Sequence, residues 1–248
     1  MHTPSSAADH YELYYWPGIP GRGEFVRLVC EDAGVPYLDV ARRPVEDGGG
    51  EQAVVRALES LPGLPAFAPP ILRVGELVIA QTANICRFLG ERHDLAPGTD
   101  GGRAEAMQLQ LTVTDLVAEV HDTHHPIAVS QYYEDQKPAA KLRAAAFRDE
   151  RLPKFLGYFE RVLQRSGGPW LLGDACCHAD LSVLQALLGL AYAFPRAFAR
   201  ASAATPKLLG LRDRVAARPR IAAYLASPRR QAFNEYGIFR HYPELDPA

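Results

Sequence analysis

Every strand-like segment of this chain lies before residue 93, and from about residue 103 onward only helical periodicity is found. The chain therefore has two regions of different texture, and it shows no internal repeat. Residues 11–16, Tyr-Glu-Leu-Tyr-Tyr-Trp, are short and aromatic-rich, a strand by propensity. Pro17-Gly18-Ile19-Pro20-Gly21 follows as a loop. Residues 24–33 place Phe25, Leu28, Val29 and Ala33 at helical spacing, with Gly34 as the stop. A second short strand is expected at 37–41 and a weakly patterned helix at 51–61. Ile71–Val74 and Leu77–Ala80 flank Gly75-Glu76, a tight hairpin signal. Residues 82–91 carry Ile85, Phe88 and Leu89 on one helical face. The order βαβ, helix, ββα describes a small layered α and β module.

Residues 94–102 are rich in Gly and Pro and read as a linker. Beyond them helices are expected at 103–124, 138–165, 179–193, 205–217 and 219–226, with Pro219 in the first turn of the last. The domain organisation is therefore 10–93, a linker at 94–102, and an all-helical unit at 103–240. The most apolar stretch, 181–194, is interrupted by Ser182, Gln185 and Gly189 and is too short to span a bilayer. Residues 1–9 are polar and lack the apolar run of a signal peptide. A chain of 248 residues with 48% hydrophobic and 23% charged residues can bury a core without staples. Its formal charge of -2 gives no electrostatic reason to bind nucleic acid or an anionic membrane. Cys30, Cys86, Cys176 and Cys177 form no CxxC pair, so free thiols in a reducing cytoplasm are the simplest reading, with no metal implied.

Four local patterns bear on chemistry. Tyr14-Tyr15-Trp16-Pro17 precedes Gly21-Arg22-Gly23-Glu24 and Arg27. Side chains alternate along a strand, so Tyr14 and Tyr15 face opposite sides. Ala68-Pro69-Pro70-Ile71 lies ahead of the hairpin, and Gln81-Thr82 lies just after it, eleven residues on from Pro70. Gly173-Asp174-Ala175-Cys176-Cys177-His178-Ala179-Asp180 looks like a helix cap whose first member is a thiol, a weak acceptor. His121 and His125 stand one helical turn apart, a spacing that could hold a metal, but Asp122 stands where an HExxH site needs Glu.

These motifs, in this module order, resemble the soluble glutathione transferases over residues 10 to 230. Within them the resemblance is to the tyrosine-type, mu-, pi- and sigma-like members, and the chain looks like a bacterial one. It implies an α+β thioredoxin-like N-terminal domain that binds glutathione and an all-α bundle carrying the second-substrate pocket. It also implies a cytoplasmic homodimer with no cofactor, using glutathione as co-substrate. Tyr15 matches the family's thiol-activating residue, with one extra residue in the loop behind it. A free thiol has a pKa of about 8.5, and a phenol donating to sulfur favours the thiolate. Pro70 matches a family cis-proline, whose preceding residue pairs with the cysteinyl part of glutathione like an added strand. Pro69 departs from the pattern, since it has no N–H and only its carbonyl can contribute. That loss is worth about 0.5–1.5 kcal/mol, a several-fold weakening. Gln81 and Thr82 match a Gln-Ser pair at a helix N-terminus that receives the γ-glutamyl carboxylate.

By the same resemblance Arg42, beside Arg43, holds the glycine carboxylate, and Trp16 can donate its indole N–H there. Asp115 matches an acid that reaches the glutathione amine across the dimer. His121, His125 and Tyr132 fall where the family lines the second-substrate pocket, and Phe239 and Tyr242 can add aromatic surface. The leading activity is thiolate attack on a small apolar electrophile. A glutathione-dependent isomerase would use the same site. A non-catalytic binding protein of this fold is the reading that Pro69 and Cys177 favour. A thiol-disulfide oxidoreductase is disfavoured, because residues 15–24 contain no cysteine.

Overall fold

The computed structural model describes residues 10–247, so the polar stretch 1–9 lies outside the described residues. Strand β1 (Tyr11–Tyr14) is central in the sheet order β2-β1-β3-β4. It pairs in parallel with β2 (Tyr37–Asp39) and antiparallel with β3 (Ile71–Val74). The hairpin partner β4 (Leu77–Ala80) closes the far edge, as the Gly75-Glu76 turn requires. Helix α1 (Gly23–Ala33) forms the crossover between the parallel strands, ended by Gly34 in the left-handed region. Helix α2 (Glu51–Ser60) covers a small cluster around Val40, Ala41 and Val54. Helix α3 (Thr82–Arg92) packs beside α1.

The rest is helical: α4 (Asp100–Asp122), α5 (Lys137–Ala146), α6 (Leu152–Arg165), α7 (His178–Ala193), α8 (Pro195–Ser202), α9 (Pro206–Ala216) and α10 (Pro219–Leu225). Helix α7 is almost wholly buried and packs against α4, α9 and α1, so the core runs unbroken from the sheet layer into the bundle. Its cap is of the kind expected. Asp180 accepts from Cys177 N–H at 2.9 Å and from Leu171 N–H at 2.9 Å. No helix among the described residues is long and apolar enough to cross a membrane.

Two helical expectations need correction. The span 138–165 is divided by a wide π turn at Phe147–Arg151. Pro153 follows it; that residue has no N–H to give and its ring crowds the carbonyl four residues back, which a widened turn accommodates. Helix α8 has no counterpart among the expected helices, because Pro195 reads as a breaker. Here it occupies the first turn of a new helix, where its missing N–H has no intrahelical partner to lose.

Candidate functional site

Burial alternates along β1, so Tyr11, Leu13 and Tyr15 face the α1 side while Glu12 and Tyr14 face the other. Tyr14 is turned to Glu12, its hydroxyl donating at 3.0 Å. Tyr15, one residue past the strand, lies under the loop that starts α1, with 4% of its surface exposed. Its hydroxyl accepts the Arg22 N–H at 2.8 Å. The approach requires glycine on both sides. A Cβ on Gly21, whose φ is +44, would stand 2.1 Å from the Tyr15 oxygen, and one on Gly23 2.6 Å from its ring. Burial raises the Tyr15 pKa, opposed by the Arg22 N–H and by the charges of Arg22 and Arg27. The phenol therefore keeps its proton at neutral pH. Since the oxygen already accepts from Arg22, that proton is available for donation.

Across from it, the Pro69-Pro70 bond is cis at the start of β3. Gln81 holds φ 72 and ψ 116, a left-handed conformation that few non-glycine residues adopt, and it begins α3. Thr82 is the first residue of that helix. Its hydroxyl is buried and has no hydrogen-bond partner among the described residues. Such an atom is costly to leave unmade.

A cavity of about 210 Å³ opens here, between the N-termini of α1 and α3 and the side of α4. Arg22, Gln81, Thr82 and Asn84 supply its polar wall, and Met107, Leu111, Thr114 and Val117 its helical wall. At about 30 Å³ per water, it holds an amino-acid-sized head group rather than a whole tripeptide. The Arg22 guanidinium makes no hydrogen bond or ion pair with any described side chain or carbonyl. Sequence reasoning placed Arg22 in the motif but gave it no role. The signal was there: a cation immediately before a helix N-terminus, next to the candidate activating tyrosine.

The other expected residues fall elsewhere. Arg42 lines a separate, larger cleft of about 680 Å³ flanking β2, with Arg220, Arg229 and Tyr37. Its guanidinium donates to the Arg229 carbonyl at 2.5 Å. Trp16 packs with Tyr14, Leu38 and Leu58 against the α2 cluster. Asp115 is exposed on α4 and does not line its own chain's cavity. His121 and His125 do come together, with ring centroids 4.9 Å apart and planes 20° from parallel. His124 joins them, its Nε2 2.8 Å from the Ile238 carbonyl. Burial first, then the charges of His125 and Arg22, lower the His121 pKa to about 4. Among the described residues no group of three or more His, Cys, Asp or Glu side chains is arranged to hold a metal.

Tyr132 is 77% exposed and its neighbour Tyr133 is the buried one. The aromatic tail is packing rather than pocket surface. Phe239 is buried against Gly189, and Tyr242 stacks on Tyr133 at 3.8 Å. All four cysteines are buried and free.

Comparison with known proteins bears on the fold. Residues 121–228 match the family model described as "Glutathione S-transferase, C-terminal domain". "Glutathione S-transferase P 1" of Xenopus laevis is 28% identical over 226 residues, covering 89% of this chain and 93% of that one. Over most of its length the chain is similar to glutathione transferases. "Glutathione S-transferase 1" of Ascaris suum is 29% identical over 177 residues, 71% of this chain and 78% of the relative. A pi-class glutathione S-transferase structure from Onchocerca volvulus superposes with a TM-score of 0.67 at 21% identity, over 86% of this chain and 91% of that one. These relatives are eukaryotic, so the bacterial look of the sequence finds no support among them. The thioredoxin-like sheet followed by a helical bundle is the transferase architecture.

Proposed function

We propose that this transferase is of the tyrosine type and that Tyr15 stabilises the glutathione thiolate for attack on a small apolar electrophile. The carrying observation is the Tyr15 hydroxyl, which accepts from Arg22 N–H and so has its own proton left for sulfur. On this reading residues 10–93 bind glutathione, 94–102 link, and 103–240 carry the electrophile pocket, in a cytoplasmic homodimer. The γ-glutamyl carboxylate meets Arg22, the Thr82 hydroxyl and the α3 N-terminus, where charge and unpaired donors converge. Gln81 and the Pro69 carbonyl flank the peptide, and Asp115 serves the neighbouring subunit's glutathione. Arg42 could reach the glycine carboxylate only by releasing the Arg229 carbonyl, and Trp16, packed on the α2 cluster, is the other candidate donor at that end. The electrophile lies beside His121 and His125, with Tyr132 at the rim. The thiol proton leaves to water on binding, and the sulfur lone pair then attacks, with no covalent enzyme intermediate.

One observation favours a second reading, glutathione binding without activation: Tyr15 is only 4% exposed. Calorimetry with glutathione, together with ultraviolet thiolate absorbance, separates the two. Binding accompanied by a thiolate band at neutral pH, and conjugation of 1-chloro-2,4-dinitrobenzene, is the expected result. Binding without either would leave a binder.

A further inference from the structure

One polar side chain of the cavity wall has no part in the reading above. Gln110, on α4, is 1% exposed and stands between α7 and the cavity, which it lines. The Ser182 hydroxyl of α7 donates to its Oε1 at 2.8 Å, and His178 Nδ1 lies 3.3 Å from the same oxygen. Those contacts hold the oxygen end of the amide and leave the Nε2, with two N–H groups, as the free end. The Nε2 has no hydrogen-bond partner among the described residues and is not fully enclosed. A donor so placed is costly unless a ligand or a water pairs it.

The other polar atoms of the cavity sort by kind. Among the described residues lining it, Arg22 carries the only charge, and none is Asp or Glu. The Thr82 hydroxyl is buried and has no partner among the described residues. Thr114, one turn along α4, spends its proton on the Gln110 carbonyl at 3.1 Å, so its oxygen offers the cavity only lone pairs. Helix α4 therefore presents a donor and an acceptor about 5–6 Å apart to a cavity of positive charge. That is the span over which one α-amino-acid head group can accept with its carboxylate and donate with its ammonium. We infer that Gln110 is a further binding residue of this site, whose Nε2 donates to the γ-glutamyl α-carboxylate from α4 of the same chain, with Thr114 accepting from the ammonium beside it. The inference rests on the transferase reading above. It makes glutathione recognition a joint property of the two halves of the chain: Arg22 and Thr82 come from the sheet module and Gln110 from the bundle.

Three thiols test it. They are glutathione, 4-aminobutyryl-cysteinylglycine, which lacks the α-carboxylate, and glutaryl-cysteinylglycine, which lacks the ammonium. Calorimetry gives a Kd for each in the unmodified protein, in Gln110→Glu and in Gln110→Met. The Glu variant keeps the shape of the side chain and an oxygen for Ser182, but puts an acceptor where the donor stood. Its affinity for glutathione and for the glutaryl thiol should fall about tenfold or more, the range of a charge-assisted hydrogen bond. Its affinity for the 4-aminobutyryl thiol should hold or tighten. The Met variant removes the donor without adding charge, and should show the same two losses with the third thiol within about twofold. A Gln110 with a purely structural role would weaken all three thiols alike, and that result overturns the inference. So does unchanged glutathione affinity in both variants, or an unmodified protein that binds glutathione no better than the 4-aminobutyryl thiol. Should neither variant fold, the Gln110 side-chain amide signal in nitrogen-15-labelled unmodified protein reads the same contact. Glutathione should shift it and the 4-aminobutyryl thiol should not; a signal that ignores glutathione overturns the inference. If the unmodified protein binds none of the three thiols, the transferase reading itself fails.

Discussion

Arg22 and Arg42 come from the same sheet module and have opposite fates. Arg22 stands at the start of α1, its guanidinium at the cavity wall with no partner among the described residues. Arg42, just past β2, is bound to the Arg229 carbonyl, with Asp39 3.9 Å away. Helix α1 is divided in the same way. Along its length its acids are all taken by the C-terminal segment. Glu24 holds Arg230 and the Tyr224 hydroxyl, Glu31 holds Arg229, and Asp32 holds Arg218 in a two-pronged pair at 2.7 and 2.8 Å. At its N-terminal end a whole guanidinium has no partner among the described residues and lines the cavity. Satisfied charge marks where the two halves of the chain are joined, and the cation without a partner among the described residues stands where we propose that the γ-glutamyl carboxylate binds.

The largest test of that contrast is Tyr15→Phe. A hydrogen bond to a charged group is worth about 1.5–3 kcal/mol, so kcat/KM should fall by about 10- to 150-fold. Glutathione affinity, read by calorimetry, should move little, since the carboxylate contacts lie elsewhere. Unchanged turnover would remove Tyr15 from the mechanism. Next comes the arginine pair. Arg22→Ala should weaken glutathione binding by about tenfold or more, the loss of one charge-assisted contact. Arg42→Ala should leave binding within about threefold and instead lower the melting temperature by about 2–4 °C, for a contact of about 1 kcal/mol. If Arg42→Ala is the variant that loses glutathione, the contrast is wrong and the tail must move on binding.

Patterns set by the backbone were the readable part of this chain. The β3–β4 hairpin, Gly34 at the end of α1, and the Gln81-Thr82 helix start all follow from local rules of turn and cap chemistry, and each stands where it was expected. The places of three candidate residues in the fold were legible for the same reason: Tyr15 directly after β1, Pro70 directly before β3 and Thr82 at the start of α3. It was not legible where a side chain's fate depends on a distant partner. Arg42 could not be read as a tail anchor, because Arg229 is 187 residues further on. The π turn was hidden for a different reason: residues 138–165 keep helical periodicity through it, and only Pro153 hints at a local adjustment. The histidines gave their spacing but not their tautomers, which depend on the Ile238 carbonyl, 114 residues away from His124.

The smallest effect expected is also the most diagnostic. Thr82→Val keeps the branched shape of the side chain and deletes one oxygen. In the free protein that oxygen is buried and has no partner among the described residues. A group in that state is a liability of about 1–3 kcal/mol, so its removal should leave the melting temperature unchanged or raise it slightly. With glutathione bound, the hydroxyl would be paired to the γ-glutamyl carboxylate, and its removal should weaken affinity by about three- to tenfold. Stability and affinity then move in opposite directions. A hydroxyl with a purely structural role cannot give that result, since losing a cap or a packing contact would lower both. A Thr82→Val protein that melts earlier and binds glutathione as before would place the Thr82 oxygen among the satisfied contacts, on the Arg42 side of the comparison.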